Sequence, residues 1–158
     1  MDVSSKKYSD TDFRNYWSMI IPVYVELLRK SRVGSVKKKI AAVALDELKE
    51  YDRQMEMSRD IDKAYSLCLE LKGMCFVIQR DYRKAYVYLK EAEQHATKLT
   101  EYNPFNLYQL NQHLFLCEKL LRMYDKIEER VKVLMRVNRN CNGNRMADSE
   151  TAWFIREV

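Results

Sequence analysis

Two histidines and four cysteines are the residues of this 158-residue chain best suited to proton transfer, nucleophilic attack or metal binding. Their surroundings do not support that chemistry. Ala92 and Leu110 stand three residues before His95 and His113, so the Glu-x-x-His pair of a helical di-metal centre is missing. Cys68, Cys75, Cys117 and Cys141 include no Cys-x-x-Cys pair. On one helix, Cys68 and Cys75 lie two turns apart, about 10 Å, too far to share a disulfide or a metal. They read as small apolar fillers in a reducing compartment, cytoplasm or nucleus. No nucleophile elbow, phosphate loop or zinc signature occurs. The expectation is a protein that is not an enzyme, with no catalytic residue, no metal site and no cofactor.

Charge offers a second kind of chemistry. The run "RKSRVGSVKKK", 29–39, holds six basic residues and no acid, and 130–147 holds five and no acid. The net charge is +5, so the rest of the chain is acidic. Arg29, Lys30 and Arg32 suit the negative end of a helix dipole. Lys37, Lys38 and Lys39 fall in the first turn of the next helix, where positive charge is unfavourable by a few tenths of a kcal/mol each. This basic patch reads as solvated surface, a contact for an acidic protein, or a phosphate contact. A nucleic-acid reading would use 29–39 and 130–145. It lacks an aromatic residue inside 29–39 for stacking on bases.

The elements that must carry these residues are helices. Three Gly and two Pro are too few for a turn-rich β protein, and 32% charged residues with 47% hydrophobic ones describe an ordinary globular chain. No stretch is long and apolar enough to insert into a membrane, and "MDVSSKKYSD" lacks the apolar core of a signal peptide. The apolar spacing predicts helix 1 over about 10–30, with Phe13, Tyr16, Trp17, Ile20, Ile21, Tyr24, Leu27 and Leu28 as one stripe. Pro22 lies off that stripe and predicts a kink. Gly34 ends the unit. Helix 2 follows from about Ser35 to Met57, and helix 3 begins after Ser58 or Asp60. Helix 4 follows Asp81 as cap, helix 5 starts at Asn103-Pro104, and helix 6 starts at Asp125. "NRNCNGN" predicts a turn-rich break, then a short helix capped by Ser149.

Short connections make consecutive helices antiparallel hairpins. The chain reads as one all-α domain with six long helices and a short C-terminal one. Its hairpins span 9–57, 58–101 and 103–138, with a tail over 139–158. One spacing of apolar, +3, +4, +3 recurs beside the turns. It reads Val33, Val36, Ile40, Val43, then Tyr82, Ala85, Leu89, Ala92, then Tyr124, Ile127, Val131, Leu134.

The middle unit resembles the tetratricopeptide repeat, a helix hairpin of about 34 residues with small residues at fixed points. With Ser66 first, Leu69 is fourth, Gly73 eighth and Phe76 eleventh. Tyr82, Ala85, Leu89 and Ala92 fill the places around the turn and in the second helix. Lys72 departs from the pattern, where the family prefers an apolar residue, and Thr97 replaces the usual proline. The resemblance implies hairpins stacked as a short superhelix. It also implies a partner groove on the first helix of the unit, lined by Leu67, Glu70, Met74, Val77 and Ile78. That face is mostly apolar and suits a helix or extended segment with large side chains. The tail adds Trp153, Phe154 and Ile155, which either cap the last hairpin or dock on a partner or a second copy. The expected function is a non-catalytic scaffold or adaptor that holds a protein segment within a larger assembly, as a homo- or hetero-oligomer.

Overall fold

The computed structural model describes residues 10–55, 63–98, 104–142 and 144–157. Seven helices and no strand occur among them: α1 Asp10–Lys30, α2 Gly34–Met55, α3 Lys63–Ile78, α4 Tyr82–Lys98, α5 Pro104–Leu120, α6 Tyr124–Asn142 and α7 Asn144–Glu157. The fold is all-α, and α1–α2, α3–α4 and α5–α6 are the helical hairpins. Helix α3 packs against α1, α2, α4 and α5. The helix starts predicted after Ser58 or Asp60 and at Asn103 lie outside the described residues.

The second and third hairpins share one turn geometry. Asp81 N–H donates to Phe76 C=O at 2.9 Å and Arg80 N–H to Val77 C=O at 3.0 Å. Met123 N–H donates to Glu118 C=O at 2.8 Å and Arg122 N–H to Lys119 C=O at 3.1 Å. Both are Schellman endings, in which the residue past the helix turns left-handed and satisfies the last carbonyls. That residue is Arg80 (φ 62) and Arg122 (φ 58), arginine where glycine is usual. Asp81 then caps α4, accepting from Lys84 N–H at 3.3 Å.

The first hairpin corrects the sequence expectation. Val33, Val36 and Val43 are exposed, and the buried set on α2 is Ala41, Ala44, Leu48 and Tyr51. This set has the same +3, +4, +3 spacing on a different face of the helix. Gly34 does not end the unit: it is the first residue of α2, and its φ is not left-handed. Nor does "NRNCNGN" break the chain early, because α6 continues to Asn142 and α7 begins at Asn144. Packing overrides the local turn preference there. Asn138 is buried and donates through Nδ2 to Thr151 Oγ1 at 3.0 Å, and Tyr108 Oη lies 3.4 Å from the same hydroxyl.

Helices α3 and α4 cross closely at Gly73. A Cβ on Gly73 would stand 2.5 Å from Cγ and Cδ2 of the fully buried Leu89. Ala85 and Ala92 are buried on either side, and Ser66 Oγ donates to Ala92 C=O at 3.3 Å.

A buried guanidinium joins α4, α5 and α6. Arg130 Nε donates to Glu118 Oε1 at 2.8 Å and Nη2 to Glu118 Oε2 at 3.3 Å. Its Nη1 donates to Asn111 Oδ1 at 2.6 Å and also to Glu93 Oε2. Tyr86 Oη donates to Glu118 Oε2 at 3.1 Å. Burial alone would raise the Glu93 carboxyl, but hydrogen bonds from Arg130 and Lys90 outweigh it and hold the pKa below the usual value.

Two predictions follow from this packing. Gly73→Ala gains helix propensity of up to about 1 kcal/mol but forces Leu89 to move, so a net loss of about 1–2 kcal/mol is expected in chemical denaturation. Leu89→Ala should cost less in the Gly73→Ala background than in wild type, and strict additivity would contradict the close crossing. Arg130→Met strands the buried Glu118 carboxylate and should cost about 3–5 kcal/mol at pH 7. The same variant should lose less relative to wild type near pH 4, where protonation relieves the stranded carboxylates. An equal loss at both pH values would show that packing, not charge, dominates.

Candidate binding surface

The residues expected to line a groove on the first helix of the unit, α3, pack against neighbouring helices. Glu70 and Met74 are buried, and Leu67 and Ile78 are half-buried against the core shared by α1, α2 and α3. Val77 packs on the core of α3, α4 and α5. Leu67, Met74 and Ile78 are therefore used against α1 and α2, and Val77 against α4 and α5. Glu70 also stands 3.6 Å from Arg29 Nη2, so a residue assigned to the groove and one assigned to the basic patch form an ion pair. Lys72 reaches Asp52 Oδ1 at 2.5 Å and lies 5.3 Å from the centre of the Tyr88 ring. That pairing between α2 and α3 explains how a lysine occupies a position suited to an apolar residue.

The basic patch divides in two. Arg29 is mostly covered, and Lys30 pairs with Glu26 at 3.5 Å on the same helix. Arg32, Lys38 and Lys39 are exposed and Lys37 is half-buried. In the second basic segment, Arg130 is taken up by Glu118 and Glu93, while Lys132, Arg136 and Arg139 remain exposed. Arg145 lies where side chains are not described.

The tail is likewise mostly used within the chain. Phe154 and Ile155 pack on the core of α5 and α6, with the Phe154 ring 5.7 Å from Phe115. They do not form a free docking patch. Trp153 points outward and is 58% exposed.

A surface not anticipated from the sequence lies on α1. Between Tyr16 and Leu28, every residue is a large apolar one except Ser18, Pro22 and Glu26, which follow each other at i, i+4 and i+8. The apolar arc covers about two thirds of the helix circumference at 100° per residue. The fold uses only part of it. Trp17, Ile21, Val25 and Leu28 are buried; Ile20 and Tyr24 are half-buried. Tyr16, Met19, Val23 and Leu27 are exposed, Met19 by 67%. Beside them on α2, Val36 and Val43 are exposed too, and Tyr24 hydrogen-bonds Glu47 across the seam. The helix runs unbroken through Pro22. Trp17 anchors the open end of this hairpin, with its ring 5.1 Å from Tyr51 and its Nε1–H donating to Gln54 Oε1 at 3.4 Å. The signal was present in the sequence: a single stripe needs fewer apolar residues than α1 contains.

The two histidines and, among the described side chains, Cys68, Cys75 and Cys117 lie within the helical packing. His113 Nδ1–H donates to Gln109 C=O at 2.8 Å. Burial, with a smaller contribution from the charges of Arg29 and Lys37, pushes its pKa down to about 4. His95 Nε2 lies 3.9 Å from Glu91. Cys68, Cys75 and Cys117 are buried free thiols, each pushed up to about 12 by burial. None of the described helices is long and apolar enough to cross a membrane. Comparison of the chain with protein-family models, with curated proteins and with solved structures finds no match in any of the three.

His113 makes acid sensitivity measurable. Its folded pKa is about 4 against an ordinary value of 6.5. The unfolded chain therefore binds the proton first as pH falls. Stability is unaffected above the ordinary value and declines from there down to about pH 4, by at most about 3 kcal/mol in all. His113→Gln should flatten that part of the stability–pH curve. An unchanged slope would show that the imidazole is not desolvated.

Proposed function

We propose that this chain is a non-catalytic protein-interaction scaffold, built of helical hairpins and tetratricopeptide-like in its second hairpin, that joins a larger assembly through the outer face of α1 and α2. The observation that carries this reading is the exposed line Tyr16, Met19, Val23, Leu27. Surface apolar residues scattered singly need no explanation, but a contiguous line along three turns marks an interaction surface. Large residues of this kind supply most of the energy at protein interfaces. The buried free thiols support a reducing compartment, cytoplasm or nucleus.

The nucleic-acid reading is second. Exposed Lys38 and Lys39 support it, whereas the burial of Arg130 removes one of its anchors. Such binding should collapse between low and moderate salt and vanish in a Lys37→Glu, Lys38→Glu, Lys39→Glu variant.

The scaffold reading is tested with Met19→Glu combined with Val23→Glu. Both side chains are exposed, so helicity by circular dichroism and Tm should change little. Association with protein, whether with itself or with proteins recovered by affinity capture and mass spectrometry, should weaken at least about tenfold. Association that survives this pair of charges in a folded variant would exclude α1 as the contact.

A further inference from the structure

We infer that the partner on this face is a second copy of the chain, with the two α1 helices packed antiparallel about a two-fold axis near Ile21 and Pro22. The inference rests on the scaffold reading and assigns its partner.

Three observations lead to it. First, α1 is apolar around about two thirds of its circumference, the pattern of a helix covered on several sides, yet its outer line is bare. Second, Tyr16, Ile20, Val23 and Leu27 follow +4, +3, +4 steps, the seam spacing of a two-helix contact. A two-fold axis sets Tyr16 of one copy beside Leu27 of the other and Ile20 beside Val23, so the seam is self-complementary. The seam is about 16 Å long, with Met19 flanking it.

Third, the hairpin is electrically polar. Its turn end, 26–39, carries six basic residues against Glu26 and, from α3, Glu70 beside Arg29. Its open end, 10–16 with 44–55, carries six acidic residues against Arg14, Lys49 and Arg53, with Lys72 of α3 on Asp52, and stays net acidic. That end is identified by the contact of Trp17 with Tyr51. Antiparallel packing places the basic end of each copy over the acidic end of the other, twice per dimer, and aligns the helix dipoles favourably. It also gives the exposed Lys39, which lies next to Val36 and Val43 around the helix, a use, since it forms no ion pair among the described residues. A parallel pair would stack like ends and oppose itself. An anionic membrane would meet the acidic end as well as the basic one, so the second copy is the better occupant.

Sedimentation equilibrium on the full chain, with site-specific cross-linking, tests this. Wild type should show a reversible monomer–dimer equilibrium at micromolar concentration. Met19→Glu with Val23→Glu should weaken it at least about 100-fold. Lys37→Glu, Lys38→Glu, Lys39→Glu should weaken it about tenfold, as should high salt. In a Cys141→Ser background, Tyr16→Cys and Leu27→Cys should cross-link when mixed and not when alone. Self-cross-linking of each alone would mean parallel packing and overturn the inference, as would a dimer indifferent to the α1 charges. A chain that stays monomeric at about 200 μM also overturns it. If that monomer still captures another protein in an α1-dependent way, the scaffold reading stands without the second copy. If it captures nothing, both fall. Binding of the monomer to phosphatidylserine vesicles would likewise overturn the inference in favour of a lipid surface.

Discussion

A guanidinium removed from water needs every one of its bonds. Arg130 is buried among Glu118, Glu93 and Asn111, which come from α5, α4 and α5 again, while Arg130 itself is on α6. Burying such a charge is costly unless its partners hold fixed positions, so the network ties the register of three helices to one another. Hydrophobic cores alone permit helices to slide by a turn, because apolar residues at 3.6-residue spacing look alike after each repeat. The ion network removes that freedom between the second and third hairpins.

The same device recurs at other helix boundaries. Arg29 with Glu70 joins α1 to α3, and Asp52 with Lys72 joins α2 to α3. Ser66 to the Ala92 carbonyl joins α3 to α4, and Thr151 joins α7 to α5 and α6 through Tyr108 and Asn138. Each tie is placed beside apolar packing, and the hydrogen-bonded ones on Ser66, Asn138 and Thr151 satisfy buried groups that would otherwise be stranded. The first hairpin differs from the other two: its turn has no left-handed residue, and its outer side is apolar and bare.

The helices were legible in the sequence because their apolar residues keep a 3.6-residue period, and because Pro104 and Asp81 mark starts. Gly73 was legible for a similar reason: a lone glycine inside a helical pattern points to close approach, and Leu89 is what approaches. The directions of α1 and α2 were not. An apolar arc as wide as that of α1 has no single inward side, so the pattern cannot say which part is covered. On α2, Val36 and Val43 are more hydrophobic than Ala41 and Ala44, yet the alanines are buried, with Leu48 and Tyr51, and the valines are exposed. The position of Glu70 in the repeat pattern suits groove lining, and nothing local shows its partner, because Arg29 lies far away in the chain. Periodicity describes one helix at a time, whereas a buried ion pair is a property of two.

The contact of α1 with α3, past the intervening α2, has a consequence for synthesis. The chain emerges amino end first, at roughly 5–20 residues per second. From the end of α1 at Lys30 to the end of α3 at Ile78, several seconds pass. During that interval, Trp17, Ile21, Val25 and Leu28 have only α2 to cover them. The nascent first hairpin therefore carries uncovered apolar surface until α3 arrives. A ribosome-bound chain is exposed to capture by chaperones, or by its neighbour on the same message, at that stage.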